Sequence, residues 1–256
     1  MILKIKNKIK RDGIFGLTIA IIKYPLHACR RILHRDILNL KSQKDIFSEK
    51  YEKNHWLVGE SKSGNGSEIS FTEPLRHWLI ENIGLLGIKT FVDAPCGDFN
   101  WMRLVLSKVQ INYIGLDIVD KVIEQNKILH SSNHIKFEVA NICEDNLPDC
   151  DIIMVRDCLF HLSYEDINNF LINLSKTNYK YLLTTTHKVN QNFKNLNIQT
   201  GAFRLIDLFS YPFFFDKRKV KARVEDFPKG FSIKREMILL EKDFVPKQLA
   251  KKTTNK

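Results

Sequence analysis

Three groups of residues in this 256-residue chain combine types and spacings that suit chemistry. The first is Asp93-Ala94-Pro95-Cys96-Gly97-Asp98-Phe99, directly after the apolar run Thr90-Phe91-Val92. A carboxylate, a small-residue turn and a helix start converge there, and the free N–H groups of a helix start attract the anionic end of a ligand. The second is Asp117, which ends the run Tyr113–Leu116 and lies 24 positions after Asp93 and 20 after Gly97. An acid at the end of the second strand of a βαβ unit can accept both ribose hydroxyls of a nucleoside. The third is Arg156-Asp157-Cys158-Leu159-Phe160-His161, at the carboxyl end of the apolar run 151–155, where open α/β sheets bind ligands. His161 suits a general base because imidazole titrates near neutrality, and Asp157 suits holding an acceptor or an amine. Each has a plainer reading, His161 as a packing histidine and Asp157 as a helix cap.

These residues need strands and helices to hold them. Apolar runs at 90–93, 113–117, 135–140, 151–155 and 179–186 alternate with helical patterns, which predicts a Rossmann-like, doubly wound, mainly parallel sheet. Runs at 220–227 and 232–241, joined by the turn Pro228-Lys229-Gly230, supply an antiparallel edge to a seven-stranded sheet. A helix is expected to start at Thr72-Glu73-Pro74, carry Leu75, Trp78, Leu79, Ile83 and Leu86 on one face, and end at Gly84 or Gly87. Another is capped by Ser163 with Asp166. Residues 201–215 read as a helix and an aromatic loop, with Arg204 and Tyr211 near an acceptor pocket. His187, after the fifth strand, is a second candidate base.

Three further segments flank this unit. Residues 1–45 form a basic N-terminal extension, read as an amphipathic helix, whose first 40 residues suit an anionic membrane surface. A secretory signal is set aside there because Lys23 and Pro25 interrupt it and His27 fits a cleavage box poorly. Residues 46–70 form a lid-like loop in which Gly64 and Gly66 allow the backbone to approach a ligand. The domain runs over 46–245, and 246–256 is a flexible tail.

Composition narrows the classes. Hydrophobic residues make up 44%, ordinary for a soluble globule, and a chain of this length can bury a large single core. The net charge of +11 attracts polyanions. The lysines nevertheless spread along the chain and gather at its ends, with no basic strip or RNA-binding appendage, so nucleic acid is not the expected partner. Five cysteines, Cys29, Cys96, Cys143, Cys150 and Cys158, form no C-x-x-C pair. That argues against a disulfide frame or a zinc site, and no metal is expected. A cytoplasmic location follows, extending to the inner face of the membrane if the arm binds there.

With these residues in view, the chain resembles the class I S-adenosylmethionine (SAM)-dependent methyltransferases over residues 47 to 241. Asp93 with the Gly97 loop is similar to their first motif, although Pro95 and Phe99 stand where glycines are common. Asp117 matches the ribose-binding acid and Asn141 the position that faces adenine. DAPCGDFNW, VRDCLFHL and ESKSGNGS together resemble a bacterial subgroup associated with surface-polysaccharide or other small-molecule modification. The resemblance implies SAM as cofactor, held by Asp93, Ala94, Pro95, Cys96, Gly97, Asp98, Asp117, Ile118, Asn141, Ile142, Arg156 and Asp157. It implies methyl transfer, as O-methylation of a small-molecule or sugar acceptor, with His161 and Asp157 as catalytic residues. An RNA methyltransferase and a non-catalytic, membrane-associated scaffold of the same fold are the alternatives. A nicotinamide dehydrogenase is disfavoured because no G-x-G-x-x-G follows the first strand.

Overall fold

The computed structural model describes residues 41–56, 59–227 and 232–251. The chain divides into units Met1–Ser42 and Gln43–Lys256, and apart from Lys41 and Ser42 all described residues belong to the second. The expected N-terminal amphipathic helix, the turn Pro228-Lys229-Gly230 and tail residues 252–256 lie outside the described residues.

Seven strands form one sheet: β1 (Thr90–Asp93), β2 (Asn112–Asp117), β3 (Ile135–Val139), β4 (Cys150–Val155), β5 (Tyr179–His187), β6 (Ala222–Glu225) and β7 (Arg235–Glu241), in the order β3-β2-β1-β4-β5-β7-β6. The first five pair in parallel, and β7 runs antiparallel to both β5 and β6, so the two late strands make the antiparallel edge. The apolar composition of β1 and β4 follows from burial on both faces, as a central parallel strand requires. The order reverses between β1 and β4, and this switch point opens the ligand crevice of an open α/β sheet at the strands' carboxyl ends. Asp151 ties the strand starts together by accepting the N–H groups of Lys89 (2.8 Å) and Thr90 (2.9 Å).

Among the described residues five α-helices flank the sheet: α1 (Gln43–Glu52), α2 (Ile69–Leu85), α3 (Met102–Leu106), α4 (Asp120–His130) and α5 (Tyr164–Lys176). One face carries a core built on α2 through Leu75, Leu79 and Ile83, and the other a core built on α5 through Ile167, Phe170, Leu171 and Leu174. Leu75, Leu79 and Phe170 are fully buried, and each such side chain stabilises the fold by about 1.5–3 kcal/mol. Ser163 caps α5 as expected, its Oγ accepting the Asp166 N–H at 3.1 Å.

Helix α2 begins about one turn before the expected Thr72 start and places Pro74 inside the helix. Proline withholds an N–H there. Side chains brace this first turn: the Thr72 hydroxyl reaches the Glu68 and Ile69 oxygens (3.1 and 3.2 Å), and the Arg76 guanidinium reaches Ile69 O (3.0 Å). Gly87 ends the helix at φ +66, with Ile88 N–H bonded to Ile83 O and Gly87 N–H to Gly84 O, the paired bonds of a Schellman motif.

Residues 201–215 contain no helix, contrary to the sequence reading. Their backbone groups are satisfied at long range instead: Gly201 N–H bonds His161 O, Arg204 N–H bonds Phe160 O, and Leu208 N–H bonds the Thr186 hydroxyl. The span 46–70 also contains more than a loop. It holds the rest of α1, a turn, the 3-10 helix Asn65–Ser67 and the start of α2.

Candidate functional site

The loop after β1 is stitched to its neighbours by its own backbone. Ala94 N–H bonds Met154 O (2.9 Å) on β4, and Cys96 N–H bonds Leu116 O (2.8 Å) on β2. Gly97, at φ +55, donates its N–H to Asp117 Oδ2 (3.1 Å) and accepts at its carbonyl from Asn126 Nδ2 (2.7 Å) on α4. A Cβ on Gly97 would lie 2.5 Å from Ser63 Oγ, so glycine is required by both conformation and space.

Phe99 also has a left-handed backbone, φ +57, which costs a non-glycine residue about 1–2 kcal/mol. Burial of its ring, worth about 1.5–3 kcal/mol, offsets that cost. The ring sits among Tyr113, Phe137 and His130 at centroid distances of 5.2, 5.0 and 5.1 Å, inside the α2-side core, and does not line the crevice. Phe99 therefore does not fill the crevice, while Pro95 forms part of its wall.

Two buried carboxylates face this loop. Asp93 accepts the Tyr113 hydroxyl at 2.8 Å, and burial raises its pKa to about 7 despite that bond and the nearby Arg156 charge. Asp117 accepts Val119 N–H at Oδ1 (3.0 Å) in addition to Gly97 N–H, and burial raises its pKa to about 6. Each Asp117 oxygen keeps capacity for a further hydrogen bond, since a carboxylate offers about four acceptor positions.

A charged network crosses from β4 to the antiparallel edge. Arg156 grips the fully buried Asp226 with Nε and Nη2, both at 3.0 Å, and Nη2 also reaches Gly66 O at 2.6 Å. Arg235 Nε bonds the same Asp226 (3.2 Å), and its Nη2 forms an ion pair with Asp157 Oδ2 (3.0 Å). Burial pushes the Asp157 pKa up, but Arg156 and Arg235 outweigh it and hold the group below the ordinary carboxylate range. Asp157 is thus a fixed anion, suited to binding and unsuited to taking a proton.

His161 donates its Nδ1–H to Ala202 O at 2.8 Å, since a carbonyl only accepts, and this leaves a lone pair on Nε2. Burial lowers its pKa and favours that neutral form. His187 is arranged the other way: its Nδ1 accepts Ile206 N–H (3.1 Å), burial lowers its pKa to about 4, and it does not line the crevice. Arg204 likewise lies off the crevice, with its guanidinium bonded to the carbonyls of Leu162 (2.7 Å) and Leu159 (3.3 Å), where it pins the His161 segment. Tyr211 does not reach the crevice either.

The crevice has a volume of about 300 Å³, at the lower end of small-molecule sites. Of the expected cofactor residues, Asp93, Pro95, Cys96, Gly97, Asp117, Ile118, Asn141, Ile142, Arg156 and Asp157 line it, as does His161. Ala94 and Asp98 do not. Ala94 is buried in the core, and Asp98 turns outward to accept the Ser61 hydroxyl and Lys62 N–H, each at 2.8 Å. Those bonds, with Asp98 N–H to Ser63 Oγ (2.8 Å) and Asn100 Nδ2 to Ser67 O (3.1 Å), lash residues 61–67 across the β1 loop as a wall of the site. The lining also includes Trp101, Arg235, Phe203, and Gln43, Phe47 and Trp56 from α1 and the following turn, which sequence reasoning did not single out. Phe47, Trp56, His161, Phe160 and Phe203 form a continuous row of rings with neighbouring centroids 4.6–6.2 Å apart. Among the described residues no cluster of His, Cys, Asp and Glu is placed to hold a metal ion, and no helix is long and apolar enough to cross a membrane.

No protein-family model matches the chain, and no curated protein sequence matches it. Solved structures do. PigF with SAH superposes over 90% of this chain and 73% of its own, with a TM-score of 0.57 and 13% identity. The 1,6-didemethyltoxoflavin-N1-methyltransferase of Burkholderia thailandensis, with 1,6-didemethyltoxoflavin and S-adenosylhomocysteine bound, covers 77% and 86% at a TM-score of 0.57 and 10% identity. Magnesium protoporphyrin IX methyltransferase from Synechocystis PCC 6803 with bound SAH covers 77% and 97% at 0.54 and 11%. The shared feature at such identities is the fold, a seven-stranded Rossmann-like sheet of the methyltransferase type.

Proposed function

We propose that this chain is a SAM-dependent methyltransferase that O-methylates a small-molecule acceptor. The observation that carries the reading is the convergence, on one crevice at the sheet's switch point, of the Asp117 carboxylate, the Gly97 loop and the unprotonated Nε2 of His161. The residues fit the cofactor: Asp117 retains acceptor capacity for ribose hydroxyls, Asn141 and Ile142 line the crevice and would take the base, and the Phe99 ring stays out of it. Ile118 would hold the base, and Asp93, Pro95, Cys96, Gly97, Arg156 and Asp157, which line the same crevice, would hold the amino-acid end. Ala94 and Asp98 serve by holding the loop and the 61–67 wall.

When bound, SAM supplies a methyl group on a sulfonium that is open to in-line displacement. Position and exclusion of water then provide most of the acceleration. The 61–67 wall and α1 supply that exclusion, and His161 Nε2 accepts the proton of the acceptor hydroxyl, a contribution of about 10²–10⁴-fold. Asp157, held as an anion by two arginines, orients a donor group.

The row of rings offers flat apolar faces to an acceptor, either an aromatic ring or the C–H face of a sugar. A small acceptor is in keeping with the 1,6-didemethyltoxoflavin and magnesium protoporphyrin IX in the names of two of the similar structures. The expected membrane attachment through residues 1–40 belongs to the same reading, at the inner face of the membrane, and is tested by vesicle binding after deletion of those residues. The enzyme reading itself is tested by transfer of labelled methyl from SAM to a fraction of polar and aromatic small molecules. Label must appear in an alkali-stable ether and fall at least 10²-fold with His161→Ala; no transfer by the wild-type chain to any fraction would overturn it.

A further inference from the structure

Helix α1 brings a polar side chain to the base end of the crevice. Phe47 and Ile118 pack on the same small core of Tyr51, Val119 and Val122, so the inner face of α1 rests beside Ile118, which would hold the base. Gln43 lies one turn before Phe47 on that face and lines the same crevice. The orientation of its amide is fixed by its partners. Nε2 donates to Asp166 Oδ1 at 2.7 Å, and Asp166 Oδ2 in turn accepts the hydroxyls of Ser163 (2.8 Å) and Thr200, as an acceptor-only carboxylate does. The amide also bonds the Cys143 thiol in the sense that favours the thiolate, which again makes the nitrogen the donor. Both amide protons are thereby engaged, and among the described residues no N–H or O–H group bonds Gln43 Oε1.

The other acceptors at this end of the crevice are committed to the protein itself. Asn141 O accepts the N–H groups of Glu144 (3.0 Å) and Asp145 (2.8 Å), and Asn141 Oδ1 accepts Cys143 N–H at 3.0 Å, so its side chain is folded back on its own turn. Ile142 O accepts Nδ2 of the buried Asn173 (2.9 Å), and Leu162 O accepts Arg204 Nη1 (2.7 Å). An adenine placed against Asn141 and Ile142 carries a 6-amino group with two protons to donate. The side-chain oxygen left to receive one is Gln43 Oε1, which the Cys143 contact ties to the same turn.

We propose that Gln43 Oε1 accepts the 6-amino group of the SAM adenine and selects that base, an assignment that rests on the SAM reading above. A base with a carbonyl at this position would set oxygen against oxygen with no proton between them, and the site would reject it. The selecting residue thus comes from α1, outside the strand-and-loop unit that carries Asp93, Gly97, Asp117 and Asn141.

Calorimetry of the full chain with S-adenosylhomocysteine, and with its purine-riboside analogue in which hydrogen replaces the 6-amino group, tests this. The wild type must bind S-adenosylhomocysteine about tenfold more tightly than the analogue. Gln43→Met keeps the length of the side chain without its amide. It must weaken S-adenosylhomocysteine about tenfold and leave the analogue unchanged, so that the preference disappears. Equal weakening of both ligands would make Gln43 a strut between α1 and α5 and overturn the assignment. Equal affinity of the wild type for the two ligands overturns it too, and that measurement needs no variant to fold. Failure of the wild type to bind either ligand would overturn the SAM reading and this assignment with it, whereas Asp117-dependent binding of S-adenosylhomocysteine with no preference over the analogue overturns this assignment alone.

Discussion

Asp117 and Gly97, 20 residues apart, are joined by a hydrogen bond of 3.1 Å from the glycine N–H to the carboxylate. The acid suited to holding a ribose thus also fixes the loop suited to holding the amino-acid end of the same ligand. Val119 N–H takes its other oxygen at 3.0 Å, so the carboxylate cannot rotate without breaking a backbone contact. The site is pre-organised before any ligand arrives, which lowers the ordering cost of binding.

Gly66→Ala is expected to weaken SAM binding about tenfold, the outcome of a displacement costing roughly 1–2 kcal/mol. A Cβ there would lie 2.4 Å from Asp157 Oδ2 and 3.0 Å from Arg235 Nη2, so the 61–67 wall must lift away from the network. Calorimetric titration with SAM checks it, and unchanged affinity would show that the wall is not part of the site.

Asp226→Asn is expected to destabilise the fold by about 3–5 kcal/mol, because it takes from the buried Arg156 and Arg235 the carboxylate that both grip and leaves them to share the ion pair with Asp157. Urea unfolding followed by circular dichroism measures this. A loss below about 1 kcal/mol would mean that water reaches the network.

The His161 imidazole is expected to titrate below its ordinary value of about 6.5, because burial disfavours the cation. The sign follows: Nε2 stays a base as pH falls to 6.5, and both the rate and the stability share of this group decline only at lower pH. An NMR titration of the imidazole checks the midpoint, with His161→Gln identifying the signal. A midpoint above 6.5 contradicts the role given to the ring.

The sheet and half of the site were legible because a βαβ unit fixes its own spacing: Asp93, Gly97 and Asp117 sit where strand lengths require them. Arg156 to His161 were legible as polar residues ending the apolar strand β4. Arg235 and Asp226 were not, since they reach the site from the antiparallel edge, 70 or more positions from Arg156. A clue lay in two opposite charges, Asp226 directly after β6 and Arg235 at the start of β7. The direction of the Phe99 ring was hidden too, because it depends on a left-handed backbone and on rings from β2 and β3. Residues 201–215 read as a helix and an aromatic loop, yet the N–H groups of Gly201, Arg204 and Leu208 are committed to the His161 segment and to β5.

The central claim is that Asp117 and the Gly97 loop hold SAM, the acid at its ribose and the loop at its amino-acid end. Its most direct measurement is calorimetry of SAM and S-adenosylhomocysteine binding to the wild-type chain and to Asp117→Ala. Binding by the wild type, lost by a factor of about 10–10² on removing the charged hydrogen-bond acceptor, and weakening as pH falls through about 6 where Asp117 takes up its proton, is the expected result. Absence of binding by the wild type, or equal affinity in the variant, contradicts the account.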